Sequence, residues 1–168
     1  MKLRHLLAAW WLIGAIGAAA QAQTLRIAIN NDPDILDPTL SRTFVGTAVM
    51  SALCDKLFDF DQALAIVPRL ATSYEWADPA TLFLHLRTGV TFHDGTPFDA
   101  AAVKFNLDRH VNLPGRFRRA ELGAMDRVEV IDPRTVRIVL KQPASPFIAT
   151  LTNRSGMMVP PTAAAATG

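Results

Sequence analysis

The stretch LHLRTGVTFHDGTPF, residues 84–98, contains the end of a strand and a tight turn, and the rest of the fold can be built outward from it. Between Thr81 and Arg87 every second residue is leucine, so Leu82, Leu84 and Leu86 share one face. This period-two alternation predicts a half-buried β-strand. The Asp94-Gly95 pair suits backbone positions with positive φ, so we expect a turn directly after Phe92.

A helix and a hairpin are predicted after this strand and turn. Asp99 is a good N-cap, because its carboxylate can accept from the free N–H groups of a first helical turn. The helix is predicted over Ala100–His110, with Val103, Leu107 and Phe105 buried and with Lys104, Asp108 and Arg109 exposed. Farther on, residues 127–131 and 135–140 alternate around Asp132-Pro133-Arg134, which predicts a β-hairpin.

Other elements are predicted on both sides of this region. Upstream, we expect a strand over Thr24–Asn30, a helix over Val45–Phe58, a hairpin over Leu57–Pro68 and a strand over Ser73–Ala77. Downstream, we expect a short helix capped by Ser145, a strand over Met157–Val159 and a helix that starts at Pro160–Thr162. This mixture of strands and helices predicts an α/β fold.

The first 22 residues have the pattern of a cleavable export signal. Lys2 and Arg4 precede an apolar run, and Ala20-Gln21-Ala22 supplies the small residues that a signal peptidase recognises. The apolar run has about 15 residues, fewer than the roughly 20 that a helix needs to cross a bilayer. We therefore expect cleavage after Ala22 and a soluble mature chain in the periplasm.

Charge and cysteine content argue against several classes of function. The chain has 17 basic and 15 acidic residues, and removal of Lys2 and Arg4 with the leader makes the two numbers equal. A neutral mature chain gives no support for nucleic-acid binding. Cys54 is the only cysteine, so no internal disulfide can form. Its place in an apolar helical pattern predicts a buried, unreactive thiol.

The sequence lacks the patterns of known catalytic and metal sites. His85, His93 and His110 fall on a predicted strand, a turn and a helix end, without the close spacing of metal ligands. No nucleophile elbow, zinc-protease motif or phosphate-binding glycine loop is present. We therefore expect no cofactor, no metal site and no enzymatic activity.

Two polar segments are candidates for ligand binding. Leu40-Ser41-Arg42-Thr43-Phe44 follows the first predicted strand, and open α/β sheets place their ligand crevices beyond the carboxyl ends of strands. An ordinary helix entrance is the alternative. Arg116-Phe117-Arg118-Arg119 is the densest basic cluster. Its guanidinium groups can pair with a peptide carboxylate, or the segment can be a solvated surface loop.

The order of several motifs carries more information than any one of them. These motifs are Leu25-Arg26-Ile27-Ala28, Leu36-Asp37-Pro38, Leu57-Phe58-Asp59-Phe60, Pro68-Arg69-Leu70-Ala71, the 84–98 stretch and Val128-Glu129-Val130-Ile131-Asp132-Pro133. Together they resemble family 5 of the bacterial extracellular solute-binding proteins, the dipeptide, oligopeptide and nickel binders of ABC importers. The segment Phe98–Arg109 is most similar to the glutathione-binding branch. Ala102 and Thr88 depart from the family pattern, which often has an acidic and a charged residue at these places.

The resemblance implies a type II periplasmic-binding-protein-like fold, in which two lobes close on a ligand and a smaller domain is inserted in the first lobe. Because family members are much longer, the chain is expected to hold the first strand of lobe I and most of the inserted domain. The implied division is a signal peptide over residues 1–22, the start of lobe I over 23–45, the inserted α/β domain over 46–156 and a truncated return toward lobe I over 157–168. The ligand-binding residues implied by match are Arg42, Thr43, Phe44, Arg118 and Arg119.

The resemblance also implies a function. The protein is expected to act as a monomer that captures a peptide-like solute and delivers it to ABC permease subunits in the inner membrane. Two alternatives remain at this point: a periplasmic hydrolase, which predicts turnover abolished by one Ser or His substitution, and a ligand-sensing ectodomain, which predicts loss of signalling with uptake intact.

Residues 23–168 by themselves are expected to bind peptides poorly, because half of the binding cleft is expected to lie in the second lobe. Titration of this segment with peptides in a calorimeter should therefore give no measurable binding. Micromolar affinity would contradict the implied arrangement.

Overall fold

The structure, a computed structural model, describes residues 24–166, so the predicted signal peptide lies outside the described residues. A short 3-10 helix spans Arg154–Gly156. The other helices and strands, numbered here in chain order, are α1 (Phe44–Leu53), β1 (Phe58–Phe60), β2 (Ile66–Pro68), β3 (Ala71–Asp78), β4 (Thr81–Leu86), α2 (Ala100–Asn112), β5 (Met125–Asp132), β6 (Thr135–Leu140), α3 (Phe147–Thr150) and α4 (Pro161–Ala166).

An antiparallel four-stranded sheet forms the centre, in the order β3-β4-β6-β5. Leu84 of β4 lies opposite Val136 of β6, and both are fully buried. Because side chains alternate between the two faces of a strand, this register keeps one face apolar across neighbouring strands. Helix α2 packs Val103 and Leu107 into the same core cluster. The predicted alternation in β4 and the predicted β5–β6 hairpin are confirmed.

Helix α2 starts where the sequence predicts and runs slightly farther. The Asp99 carboxylate accepts from the Ala102 backbone N–H at 2.9 Å, which is the predicted N-cap. The helix ends at Asn112, shortly before Pro114, which fits the poor tolerance of helices for the residue before a proline. Phe105 is only half-buried rather than a core residue.

The predicted turn after Phe92 is confirmed. The Phe92 backbone N–H donates to the Thr96 carbonyl at 2.8 Å, and Gly95 has φ of 82°, a conformation that favours glycine. The Asp94 carboxylate accepts from the Thr96 backbone N–H at 2.9 Å and from the Thr162 hydroxyl at 2.6 Å. The turn is thereby joined to α4, and the Thr162 hydroxyl is the main cause that lowers the pKa of Asp94.

The predicted hairpin over residues 57–68 is also confirmed, as the pair β1–β2. Asp61 shapes its tip by accepting from the backbone N–H groups of Ala63 and Ala65 at 2.8 and 2.9 Å. At its base, the Leu57 N–H donates to the Gly156 carbonyl at 2.9 Å. The hairpin is therefore attached to the 3-10 helix near the end of the chain.

Two predictions near the beginning of the described chain are wrong. Residues 24–30 are not a strand, and Leu25 and Ile27 are 82% and 77% exposed. Alternation makes a strand only where a second strand completes the hydrogen-bond ladder, and none of the strands among residues 24–166 pairs with this segment. Helix α1 ends at Leu53 rather than Phe58, and its buried residues are Gly46 and Met50.

The end of the chain gives one confirmation and two corrections. Helix α4 begins at Pro161, as the Pro-Pro-Thr-Ala pattern predicts. Ser145 does not cap α3, which is preceded by Pro146 and has no side-chain cap. Met157 makes a single bridge to Lys56 instead of a strand, because the following prolines remove the donors that would extend a ladder.

We expect Gly156→Ala to destabilise the protein. A Cβ at Gly156 would lie 1.8 Å from the Leu151 carbonyl oxygen, so the backbone of one segment would have to move. Overpacking of this kind costs about 1–3 kcal/mol of unfolding free energy, measurable by urea denaturation.

Gly123→Ala is the matched control, because its Cβ would lie 3.2 Å from the nearest atom, the Ala120 carbonyl oxygen. Equal midpoints for the two variants would show that the close approach at Gly156 does not constrain the fold.

Candidate functional site

Residues 34–43, here called the polar loop, lead into helix α1. The Asp34 carboxylate organises the loop by accepting from the Arg42 backbone N–H at 2.7 Å and from the hydroxyls of Ser41 and Thr43, each at 2.9 Å. These hydrogen bonds, with that from Arg42 the largest contribution, hold the pKa of Asp34 well below its usual range. The Thr43 hydroxyl in turn caps α1 by accepting from the Gly46 N–H at 3.0 Å.

Gly46 allows this close arrangement. A Cβ at this position would lie 2.3 Å from the Ser41 hydroxyl oxygen and 3.0 Å from an Asp34 carboxylate oxygen. The loop and the first turn of α1 therefore pack against each other without room for a side chain.

Helix α2 holds the polar loop from the other side. The Arg109 guanidinium donates to both Asp37 carboxylate oxygens, at 2.7 and 3.0 Å, and to the Thr39 hydroxyl at 2.6 Å. Burial acts to raise the pKa of Asp37, but the hydrogen bonds and charge of Arg109 outweigh it, and the pKa lies below its usual value. Bidentate pairs of this kind fix geometry as well as charge.

The exposure predicted for Arg109 is therefore wrong, since only 9% of the residue is exposed. The physical reason is that α2 is covered on two sides. Val103 and Leu107 pack into the apolar core, whereas Asn106, Arg109 and His110 are buried against irregular segments. Asn106, for example, exchanges two hydrogen bonds with the Val159 backbone, at 2.9 and 3.0 Å.

His110 completes this second buried face. Its Nδ1 lies 2.9 Å from the Thr39 hydroxyl oxygen. Because a guanidinium can only donate, the Thr39 hydroxyl accepts from Arg109, and its own hydrogen is available to donate to Nδ1 when the neutral ring carries its proton on Nε2. Burial is the main cause that lowers the pKa of His110 to about 4, and the positive charge of Arg109 acts in the same direction.

Two further arginines hold the polar loop through its backbone. Arg118 and Arg154 both donate to the Ser41 carbonyl, at 3.2 and 3.1 Å. Arg118 also pairs with Glu121 at 2.5 Å, and burial is the main cause that lowers its pKa. The interpretation of residues 116–119 as a solvated loop is therefore wrong at Arg118, which is 4% exposed.

The exposed edge of this region is formed by aromatic and cationic groups. The Arg42 guanidinium lies over the Phe117 ring, 4.8 Å from its centroid, a distance suited to a cation–π contact. Phe44 is 87% exposed. Arg119 is exposed and, with Arg116 and Lys141, lines a groove of about 570 Å³.

The structure thus brings most of the predicted ligand residues together, but in different roles. Arg42 and Phe44 are exposed, whereas Thr43 caps a helix and Arg118 is buried and paired with Glu121. Arg119 lies on the groove beside Lys141.

The sequence patterns did not predict the hydrogen bonds that hold the polar loop, which are made by Asp34, Asp37, Arg109, His110 and Arg154. The spacing of Asn106, Arg109 and His110 was an available signal, because residues three and four apart share a helix face.

Two features of residues 24–166 bear on other functions. No group of three or more His, Cys, Asp or Glu side chains is placed to hold a metal ion in this part of the chain. No helix among the same residues combines the length and apolar character needed to cross a bilayer. Cys54 is half-buried, and burial is the main cause that raises the pKa of its thiol.

Comparison with known sequences identifies the family. Residues 65–167 match the sequence model described as bacterial extracellular solute-binding proteins, family 5, middle region. The chain belongs to family 5 of the bacterial extracellular solute-binding proteins. The predicted family and the predicted α/β binding-protein fold are both confirmed.

Family 5 relatives include glutathione-binding proteins. The chain is 36% identical over 162 residues to the glutathione-binding protein GsiB of Pectobacterium atrosepticum, covering 91% of the chain and 32% of that protein. It is 38% identical to GsiB of Salmonella paratyphi A, covering 94% and 31% respectively. The chain therefore spans about a third of the length of these curated relatives.

Solved family 5 structures agree with this fold. AgaA of A. tumefaciens R10, solved with agropinic acid, superimposes with a TM-score of 0.75 at 31% identity, covering 81% of the chain and 28% of AgaA. NikA of Brucella suis, solved with Fe(III)-EDTA, gives 0.69 at 29% identity, covering 76% and 26%. The murein tripeptide binding protein MppA of Escherichia coli gives 0.75 at 23% identity, covering 83% and 31%, and supports the fold alone.

The buried His110 leads to a prediction about acid stability. Its pKa rises from about 4 in the folded state to about 6.5 on unfolding, so the unfolded state binds more protons between these values and stability falls as the pH is lowered through this window. We expect the unfolding free energy to fall by about 2 kcal/mol from pH 7 to pH 5 through this group.

Urea denaturation at the two pH values checks this. His110→Gln should remove most of the loss, whereas His93→Gln, at an exposed turn residue, should retain it. The same pH dependence in the His110→Gln variant would show that another group causes the loss.

Proposed function

We propose that this chain forms part of a periplasmic binding protein that captures a peptide-like, glutathione-like solute for an ABC importer, without chemical change. The observation that carries this proposal is the identity of 36–38% to GsiB glutathione-binding proteins over more than nine-tenths of the chain. In this proposal the protein acts as a monomer and delivers its solute to permease subunits in the inner membrane.

The exposed chemistry of the site supports an anionic solute. Arg42 contacts Phe117 and is itself exposed, and Phe44, two positions farther along the chain, exposes its aromatic ring. Guanidinium groups bind carboxylates in a bidentate manner, and aromatic rings pack against apolar parts of a ligand. Glutathione carries two carboxylates, which suit a guanidinium, and short CH2 groups, which can pack against a ring.

The division of the chain is also part of the proposal. We infer a signal peptide cleaved after Ala22, the start of lobe I over residues 23–45, an inserted domain over 46–156 and a return toward lobe I over 157–168. The sheet β3-β4-β6-β5 and helix α2 lie entirely within the proposed inserted domain, residues 46–156, and the match to the family's middle region begins at residue 65. Ligand contacts are proposed for Arg42, Thr43, Phe44, Arg118 and Arg119. Of these, Arg42 and Phe44 are proposed to make the most direct contacts.

Calorimetry on the complete native gene product tests the solute. Glutathione should bind, and Arg42→Ala should weaken binding about ten-fold, the effect expected from the loss of a hydrogen bond to a charged group. Phe44→Ala should weaken binding in the same direction. Arg127→Ala is the matched control, because this arginine pairs with Asp126 and Glu129 on the edge strand β5.

Three outcomes would count against the proposal. If glutathione, dipeptides and tripeptides all fail to bind, the solute class is wrong. If Ni(L-His) binds in preference to every peptide, the protein takes a metal chelate instead. If glutathione is consumed during incubation, as followed by chromatography, the protein is an enzyme.

A further inference from the structure

Arg109 on α2 donates hydrogen bonds to residues that lie 70 and 72 positions earlier in the sequence. Its acceptors, the Asp37 carboxylate and the Thr39 hydroxyl, all belong to the polar loop. That loop has no regular secondary structure of its own except the turn at 38–40, so side-chain hydrogen bonds supply many of the contacts that hold its conformation.

We propose that Arg109 is a positioning residue for the solute site, which fixes the polar loop so that Arg42 and Phe44 are presented to the solute. This inference rests on the proposed function, because it assigns a task to the same site.

The contacts form a continuous path from Arg109 to the exposed edge. Arg109 holds Thr39, and the Thr39 carbonyl accepts from the Phe117 N–H at 3.0 Å. The Arg42 guanidinium in turn lies over the Phe117 ring, 4.8 Å from the ring centroid. A displacement at Arg109 would therefore move both partners of the cation–π contact.

Asp37 extends the effect along the loop backbone. Its carboxylate accepts from the backbone N–H of Thr39 at 2.7 Å and of Leu40 at 3.3 Å, while its carbonyl accepts from Ser41 at 2.9 Å. If the guanidinium no longer holds the carboxylate, these backbone N–H groups lose a fixed acceptor.

Arg109 is not needed to fill the apolar core. Val103 and Leu107 form the core-facing side of α2, and Arg109 lies on the other buried side. Buried ion pairs contribute little net stability, because desolvation of both charges offsets their attraction. The effect of this pair is therefore mainly on geometry, and a lysine cannot reproduce it because an ammonium lacks the planar fork.

The test compares Arg109→Lys with Lys104→Arg in the complete native gene product. Lys104 lies on the same helix and pairs with Asp108 at the surface, 2.7 Å away, without contact with the polar loop. Glutathione affinity is measured by calorimetry, and exchange of individual amide hydrogens by NMR.

We expect Arg109→Lys to bind glutathione about ten-fold more weakly, the loss expected when a charged hydrogen-bond pair is disturbed. The amides of Thr39, Leu40 and Phe117 should exchange at least ten-fold faster, since they depend on the held loop, while the amide of Leu84 in β4 should be unchanged. Lys104→Arg should change neither quantity.

Thr39 provides a second pair of variants should Arg109→Lys fold poorly. Thr39→Ser keeps the hydroxyl that links Arg109 to His110, and Thr39→Val removes it at similar volume. Thr39→Val should weaken glutathione binding and alter the ¹⁵N signals of His110, because Nδ1 loses its donor, and Thr39→Ser should retain both wild-type properties.

The outcomes separate this inference from the proposed function. Binding of glutathione by the wild type with unchanged affinity in both Arg109→Lys and Thr39→Val would overturn the positioning role alone. Faster loop exchange without a change in affinity would do the same, because the loop would then not serve the solute. Failure of the wild type to bind any peptide would overturn the proposed function and this inference with it.

Discussion

The structure depends on one helix that is buried on two sides. Helix α2 contributes apolar side chains to the core of the central sheet and polar side chains to the irregular segments on its other side. An irregular backbone cannot satisfy its own N–H and carbonyl groups, so it can be buried only where side chains supply the missing partners. Asn106 does this directly for the Val159 backbone near the end of the described chain. Arg109 does it indirectly near the beginning, by holding the Asp37 carboxylate that accepts from the Thr39 and Leu40 N–H groups.

The sequence predicts the regular part of the fold well, because that part follows from local rules. Leucine alternation in β4, the Asp99 cap and the Asp94-Gly95 turn each determine a short segment through interactions within a few residues. The segment 24–30 has the same alternation as β4 but no neighbouring strand in the described chain, so an identical pattern gives a different result.

The candidate site was only partly predictable for a related reason. Its residues come from positions 34–46, 106–121 and 154, and the contacts between them join residues up to 113 positions apart. Arg118 and Arg42 both belong to the polar segments singled out in the sequence, yet Arg118 is buried and donates to the Ser41 carbonyl, whereas Arg42 lies over the exposed Phe117 ring. Their roles follow from the path of the polar loop, which periodicity does not describe. The family resemblance pointed to this segment as a site but could not assign a contact to each side chain.

The position of the Asp34 carboxylate beside the beginning of α1 has a consequence for selectivity. The start of a helix attracts negative charge through its dipole and its free N–H groups. In this protein the Gly46 N–H of the first turn is already capped by the Thr43 hydroxyl. The Asp34 carboxylate, held by Ser41, Arg42 and Thr43, lies against the same turn, and Gly46 leaves no gap between them. Under the proposed function, an anionic solute would therefore be bound by side chains rather than by this helix terminus. Because side chains change by single substitutions while a helix terminus does not, relatives with the same backbone here can diverge in what they accept without rebuilding the fold.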